Sequence, residues 1–247
     1  MGGSTVVVGW PLGVALAVLV ALTVAASLLA RFDTARQSAV AAVRAIVQLG
    51  AVAAVILAVV RSWWSTVLFV SLMVGVATWT SARRMTRARS GLLAGVALLA
   101  GTVPVLAVVL ATGTVPLTGI AVVPVAGIVV GGAMTATSVA GRRALDQLQA
   151  RRGEYEAALS LGFLPRDAAL LVVRTSSTDA LVPPLDQTRT VGLVTLPGAF
   201  VGVLLGSGDP VQAGAAQILV LIGLLAAETL AVWVVLELVA RGRITRT

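Results

Sequence analysis

The 247-residue chain contains no cysteine, no histidine and no lysine, a single tyrosine, and only 11% charged residues. Each absence removes a chemistry. Without cysteine there is no disulfide and no thiolate nucleophile, and without both Cys and His there is no Cys/His metal site and no axial imidazole for haem. Missing histidine excludes a Ser-His-Asp triad. Missing lysine excludes a pyridoxal Schiff base and the P-loop lysine that reaches a nucleotide's phosphates. The chain is therefore expected to be non-catalytic and to bind no cofactor of its own. The shortage of charge is as telling, because a soluble domain carries roughly a quarter charged residues. Here 58% of residues are hydrophobic and the mean hydropathy is +1.02. Such a surface suits lipid. In lipid the backbone must satisfy its own hydrogen bonds, so the expectation is an all-α, polytopic membrane protein forming a single transmembrane domain over residues 1–247.

Seven apolar runs are candidate spans: Trp10–Ala30, Ala42–Val60, Trp64–Thr80, Leu92–Ala111, Ile120–Ala140, Val191–Leu205 and Gln217–Val239. The third and sixth are short for the ~20 residues that a spanning helix needs. All 18 basic residues are Arg, and they alternate. Seventeen fall in the connections after the odd-numbered spans (counting Arg44, at the near end of the second span) and at the chain's end, whereas Arg61 alone falls in the others. Cytoplasmic loops carry the excess of Arg, which predicts an outside N-terminus and a cytoplasmic C-terminus. A nucleic-acid surface would not alternate span by span, so the net charge of +8 reads as topology and no nucleic-acid partner is expected. Ahead of the first span Met1–Gly9 carries no positive charge, and the run that follows is long for a signal-peptide core, so that span is read as retained. Trp10, Trp63 and Trp64 sit at span ends, where indoles favour the interface.

Only one connection is long, Gly141–Thr190, and it lies on the cytoplasmic side of this scheme. Arg142/Asp146 and Arg152/Glu156 are i,i+4 pairs that support a helix over Arg142–Leu161. Gly162 breaks it. Pro165 suits the first turn of a second helix, Pro165–Ala180, with Asp167 near its positive end, and Pro183 and Pro184 are expected to end that helix. The segment Glu154-Tyr-Glu156-Ala157-Ala158-Leu-Ser-Leu-Gly162-Phe-Leu-Pro165 resembles the Glu-Ala-Ala…Gly cytoplasmic loop of ABC-transporter permeases, in which the helix before the glycine docks into a cleft of the ATP-binding subunit. That resemblance makes residues 141–190 a helix-turn-helix coupling loop. Ala157 and Ala158 would let a partner approach, Gly162 would allow the sharp turn, and Glu154 and Glu156 would be polar anchors.

Four further stretches appear in matching order. They are Arg44-Ala-Ile-Val-Gln48-Leu49, Val123-Pro124-Val125-Ala126-Gly127-Ile128-Val-Val-Gly131-Gly-Ala133-Met134, Thr190-Val191-Gly192-Leu193-Val194-Thr195-Leu196-Pro197-Gly198, and Gly208-Asp209-Pro210. Together they resemble the Fet-type iron-export permease family of bacteria, which includes plant permeases linked to aluminium tolerance. The likeness runs from about Asp33 to Val239. It implies a permease of the bacterial plasma membrane, working as a homodimer with a separate ATP-binding subunit on which ATP and Mg bind, and exporting a metal ion or another small solute. Iron follows from this kinship alone.

Polar groups inside spans are costly and mark candidate paths. Gln48, Met134, Thr135, Thr137, Ser138 and Glu228 qualify, although Ser and Thr often bond back to their own helix and Met134 equally suits core packing. Glu228, the one carboxylate well inside a span, could ligate a cation, carry a proton or pair with an Arg. Small residues mark close packing: Gly127 and Gly131 form one G-x-x-x-G, and Gly198, Gly202 and Gly206 line one face of the sixth span. An ion-coupled transporter using Glu228 and a non-transporting membrane anchor are the competing readings.

Overall fold

The structure, a computed structural model, describes residues 9–246, so the uncharged leader lies outside it up to Gly9. The described residues form ten α-helices: α1 (Trp10–Leu29), α2 (Ala35–Val59), α3 (Trp63–Met85), α4 (Ala94–Ala111), α5 (Gly119–Ala150), α6 (Arg152–Ser160), α7 (Pro165–Thr178), α8 (Val182–Thr190), α9 (Gly198–Ser207) and α10 (Pro210–Ala240). Six of them, α1 to α5 and α10, are long and apolar enough to cross a membrane. The protein is therefore a multi-pass membrane protein with an all-helical fold.

By its contacts the chain divides into two compact units, Met1–Val59 and Val60–Thr247. In the first, α1 and α2 form a hairpin. Thr23 and Ser27 turn their hydroxyls onto their own helix, at Leu19 O (2.9 Å) and Thr23 O (2.8 Å). Thr34 Oγ1 reaches Ser27 Oγ at 3.4 Å across the turn.

In the second unit, glycine and alanine set the helix spacing. A Cβ on Gly141 would strike the Met85 side chain of α3 and meet Val235 of α10 at 3.1 Å, and one on Gly119 would meet the Val60 backbone at 2.8 Å. Gly95 opposes Thr78, and Gly223 opposes Val105. These registers make α3, α5 and α10 parallel, with α4 antiparallel among them. Ala94, Ala97, Leu98, Ala126, Ala133, Ala140, Ala227, Ala231 and Val235 fill the interior. Short side chains there bring backbones together, which is how helices gain dispersion contacts when lipid offers no hydrophobic contrast. The C-terminal ends of α3, α5 and α10 meet at one end of the unit. There Thr86 Oγ1 donates to Thr245 O at 3.1 Å, Arg246 pairs with Asp146, and Ile244 is fully buried.

Five expectations need correction. The fifth helix does not end at Ala140 but runs to Ala150, because Ala144 and Leu145 continue its buried stripe. The break then falls at Arg151, outside the helical region of φ and ψ, so Arg142–Leu161 is not one helix. Asp146 pairs with Arg246 instead of Arg142. Pro183 and Pro184 do not end a helix; they occupy the first turn of α8, where a missing N–H leaves no bond unmade. The sixth apolar run is not a continuous helix: Gly192 takes φ +81°, its N–H bonds Thr195 O at 2.9 Å, and only after Pro197 does the ten-residue α9 begin.

Candidate functional site

At the arginine-rich end of the second unit, α6 and α7 form a helical hairpin. Pro165 opens α7, and Glu154 lies in the first turn of α6, near the positive end of its dipole. Gly162 makes the turn with φ +90°. Its N–H bonds Leu159 O at 2.9 Å, and Phe163 N–H bonds Ala158 O at 3.1 Å. Arg152 and Glu156 pair at 2.7 Å, as their i,i+4 spacing implied. Arg151 pairs with Glu154, and that hydrogen bond holds the Glu154 carboxyl below the usual carboxylate range.

The sequence-derived coupling residues separate by face. Glu154, Glu156, Ala157, Gly162 and Pro165 are exposed, whereas Ala158 is buried at 4% exposure. Leu161 and Leu164 at the tip are 80% and 68% exposed, with Phe163 beside them. The hairpin thus presents an apolar tip with acidic residues on the flanking helix. The opposite face of α7, namely Ala168, Ala169, Val172, Val173 and Ser177, is buried, and α7 packs on α5 and α10. Three polar links fasten it: Arg143 to Asp179 at 3.3 Å, Arg151 Nη1 to Val172 O at 3.3 Å, and Arg166 forked onto Glu237 at 2.6 and 2.9 Å. Glu237 also accepts from Arg241 at 2.6 Å. The sequence alone does not single out this clamp. Its partners lie 71 residues apart, a separation that no local pattern reports.

The candidate path residues do not gather in one place. Gln48 is exposed on α2, in the first unit. Thr135 is exposed and bonds Gly131 O at 3.1 Å. Met134 packs beside Ala77, Leu98 and Val130. Ser138 donates to Met134 O at 2.6 Å and its Oγ lies 3.1 Å from Ser81 Oγ, closing a small hydroxyl cluster between α3 and α5. Thr137 buries its hydroxyl without a partner among the described residues. Glu228, on α10, is only 6% exposed and sets its carboxylate against Gly132 of α5, away from the hydroxyl cluster. Among the described residues, no three carboxylates gather as a metal site would need.

The glycines differ as well. A Cβ on Gly127 would meet Met73 at 3.1 Å, while Gly131, Gly198, Gly202 and Gly206 have open space before them among the described residues. Gly132, beside the expected Gly131, is the one that receives a neighbour: Leu224 and Glu228 of α10 occupy the space of its missing side chain. Gly101 does the same for the Ala227 carbonyl.

Comparison with known proteins agrees with this architecture. Over 220 residues the chain is 36% identical to UPF0014 membrane protein STAR2 of Oryza sativa subsp. japonica, covering 87% of this chain and 77% of the rice protein. It is 36% identical over 158 residues to Protein ALUMINUM SENSITIVE 3 of Arabidopsis thaliana (64% of this chain, 58% of that protein). It is 32% identical over 155 residues to the Probable iron export permease protein FetB of Escherichia coli (strain K12), covering 62% and 60%. No solved structure matches it significantly. A family profile described as Uncharacterised protein family (UPF0014) matches residues 11–244, nearly the whole chain, and the protein belongs to that family.

Proposed function

We propose that this chain is the membrane subunit of an ABC transporter that exports a metal ion, iron by kinship. A separate ATP-binding subunit supplies the energy, and the permease works as two copies in the bacterial plasma membrane. The observation that carries the reading is the α6–α7 hairpin. Its exposed tip offers a partner an apolar surface next to Glu154 and Glu156, and its inner face is fastened to α5 and α10. A push on the tip therefore reaches the long helices through α7. The name of the bacterial relative, an iron export permease, supports the substrate class.

The same reading holds that the chain crosses the bilayer seven times, with the arginine-rich end in the cytoplasm. Supporting this, α5 and α10 are parallel while α7 packs at their C-terminal end, so the chain between α7 and Pro210 must return to the opposite end. The segment α8–α9 is the piece available for that return. At the start of α10, Asp209 accepts from Val211 and Gln212 N–H groups, and Arg61 is the basic residue at that end of the unit.

The test is to solubilise the protein from its native membranes and identify what co-purifies. A stoichiometric ATP-binding subunit is expected, and it should be lost in Ala157→Arg. This variant is cleaner than Gly162→Arg, since Ala157 is exposed on a helix and the change imposes no backbone strain. Retention of the subunit by Ala157→Arg would remove the coupling assignment. A second reading, ion-coupled transport, rests on the buried Glu228. It predicts metal efflux from vesicles containing this chain alone, abolished by Glu228→Gln.

A further inference from the structure

Seven arginines of the second unit are ion-paired, and Arg83 at the end of α3, with Arg87 and Arg89 in the turn that follows it, are among those that are not. Arg143, Arg151, Arg152, Arg166, Arg189, Arg241 and Arg246 each contact a carboxylate. Among the described residues, Arg83, Arg87 and Arg89 have no acidic partner, yet all three line one cleft of about 230 Å³ with Trp79, Thr86 and Leu92. No carboxylate lines it. Three positive side chains lining one small cleft make it favourable for an anion, and the planar fork of Arg is suited to phosphate oxygens.

The cleft is held in shape. Thr86 Oγ1 accepts from Ala88 N–H at 3.2 Å and donates to Thr245 O at 3.1 Å, and Thr245 N–H donates to Ser90 Oγ at 3.3 Å. The turn carrying Arg87 and Arg89 is thereby tied to the chain's end. Arg83 lies over the Trp79 ring, 4.4 Å from its centroid, an arrangement that orients the guanidinium at modest entropic cost.

The apolar side of the cleft continues along the membrane-spanning helix. Leu68, Leu72, Val76 and Trp79 follow at spacings of four, four and three, all between 54% and 72% exposed, and Arg83 is the next member of the stripe. The fifteen residue steps from Leu68 to Arg83 cover about 22 Å of helix, more than the ~15 Å of one leaflet's hydrocarbon. Charge at one end of a lipid-length apolar stripe is what a lipid needs; a soluble phosphate compound has no use for the stripe. We propose that this cleft binds an anionic phospholipid, its phosphate between Arg83, Arg87 and Arg89 and an acyl chain along Trp79, Val76 and Leu72. Basic pockets of this kind, set between spanning helices, are where acidic headgroups bind.

The test uses the full chain in mixed micelles with phosphatidylglycerol or phosphatidylcholine carrying brominated acyl chains. The Trp79 signal is isolated by difference from Trp79→Phe. Brominated phosphatidylglycerol should quench that signal at a concentration at least about fivefold lower than brominated phosphatidylcholine, since one basic residue near an anionic surface is worth about that factor. The ratio should shrink in Arg87→Gln and in Arg89→Gln, and approach one in the triple variant R83Q/R87Q/R89Q. The single variants decide the matter if the triple variant does not insert. Equal quenching by the two lipids in the unaltered protein, or an unchanged ratio in the variants, would overturn the proposal. So would displacement of the quenching lipid by excess inorganic phosphate, which would mark a site for soluble anions.

Discussion

Where Gly132 faces α10, the side chains of Leu224 and Glu228 fill the space that any Cβ would need. Gly132→Ala should therefore cost about 1–3 kcal/mol as an overpacked contact, read as a fall of several degrees in thermal midpoint. Glu228 itself has no hydrogen-bond or ion-pair partner among the described residues, and a buried charge without a partner is expensive. Glu228→Gln occupies the same volume and needs no counter-charge, so its thermal midpoint should stay within a few degrees of the parent. Glu228→Lys drives a longer cation against Gly132 and should not accumulate as folded protein. If Glu228→Gln leaves transport unchanged across pH, the residue serves packing alone. Gly162 is the opposite case from Gly132. A Cβ there meets nothing, but φ is +90°, so Gly162→Ala should cost about 1–2 kcal/mol through the backbone. Hydrogen exchange should report it as faster exchange at the α6–α7 turn.

At the scale of elements, α7 acts as a brace between the exposed hairpin and the long helices, and Glu237 is its fastening. Glu237→Gln removes the carboxylate that Arg166 and Arg241 share, leaving Arg166 with Asp167 alone. Amide exchange within α7 should then quicken while the interior of α5 keeps its protection; unchanged exchange in α7 would show that its apolar face alone holds it. The hairpin was legible because its signals are local: Pro165 at a helix start, Gly162 at a turn, Arg152 and Glu156 one turn apart. The long helices were legible as apolar runs. The sixth run misled for a physical reason. Hydropathy registers how apolar Val191–Leu205 is but not that Gly192 adopts a left-handed conformation or that Pro197 cannot donate a helical bond. Charge misled at the end of α5, where Arg142 and Arg143 suggest a boundary although Ala144 and Leu145 still face the core. The choice between Gly131 and Gly132 could not be made from spacing, because only the rotation of α5 against α10 decides which of two adjacent glycines meets a neighbour.

For the molecule as a whole, the deciding question is how many times the chain crosses, and the absence of cysteine makes it directly measurable. Any single introduced cysteine is the only thiol on the protein. On the seven-crossing reading, Ser62 and Ser207 lie at the outer end and Ser160, on the hairpin, lies inside. With a membrane-impermeant thiol reagent on intact cells, Ser62→Cys and Ser207→Cys should label, whereas Ser160→Cys should label only after permeabilisation. Ser207 carries the weight of the test. It stands two residues before Asp209, which caps α10, and α9 runs back alongside that helix, with Phe200 N–H donating to Gln217 Oε1 at 3.0 Å. A ten-residue helix spans about 15 Å, half the hydrocarbon thickness, so α9 alone cannot complete a crossing and the turn at 191–197 and α8 must supply the rest. Irregular backbone at such a depth persists only where protein or water covers it. Protection of Ser207→Cys together with Ser160→Cys would place the start of α10 on the cytoplasmic side. The three arginines at the chain's end would then lie outside, against the charge asymmetry that orients every other span.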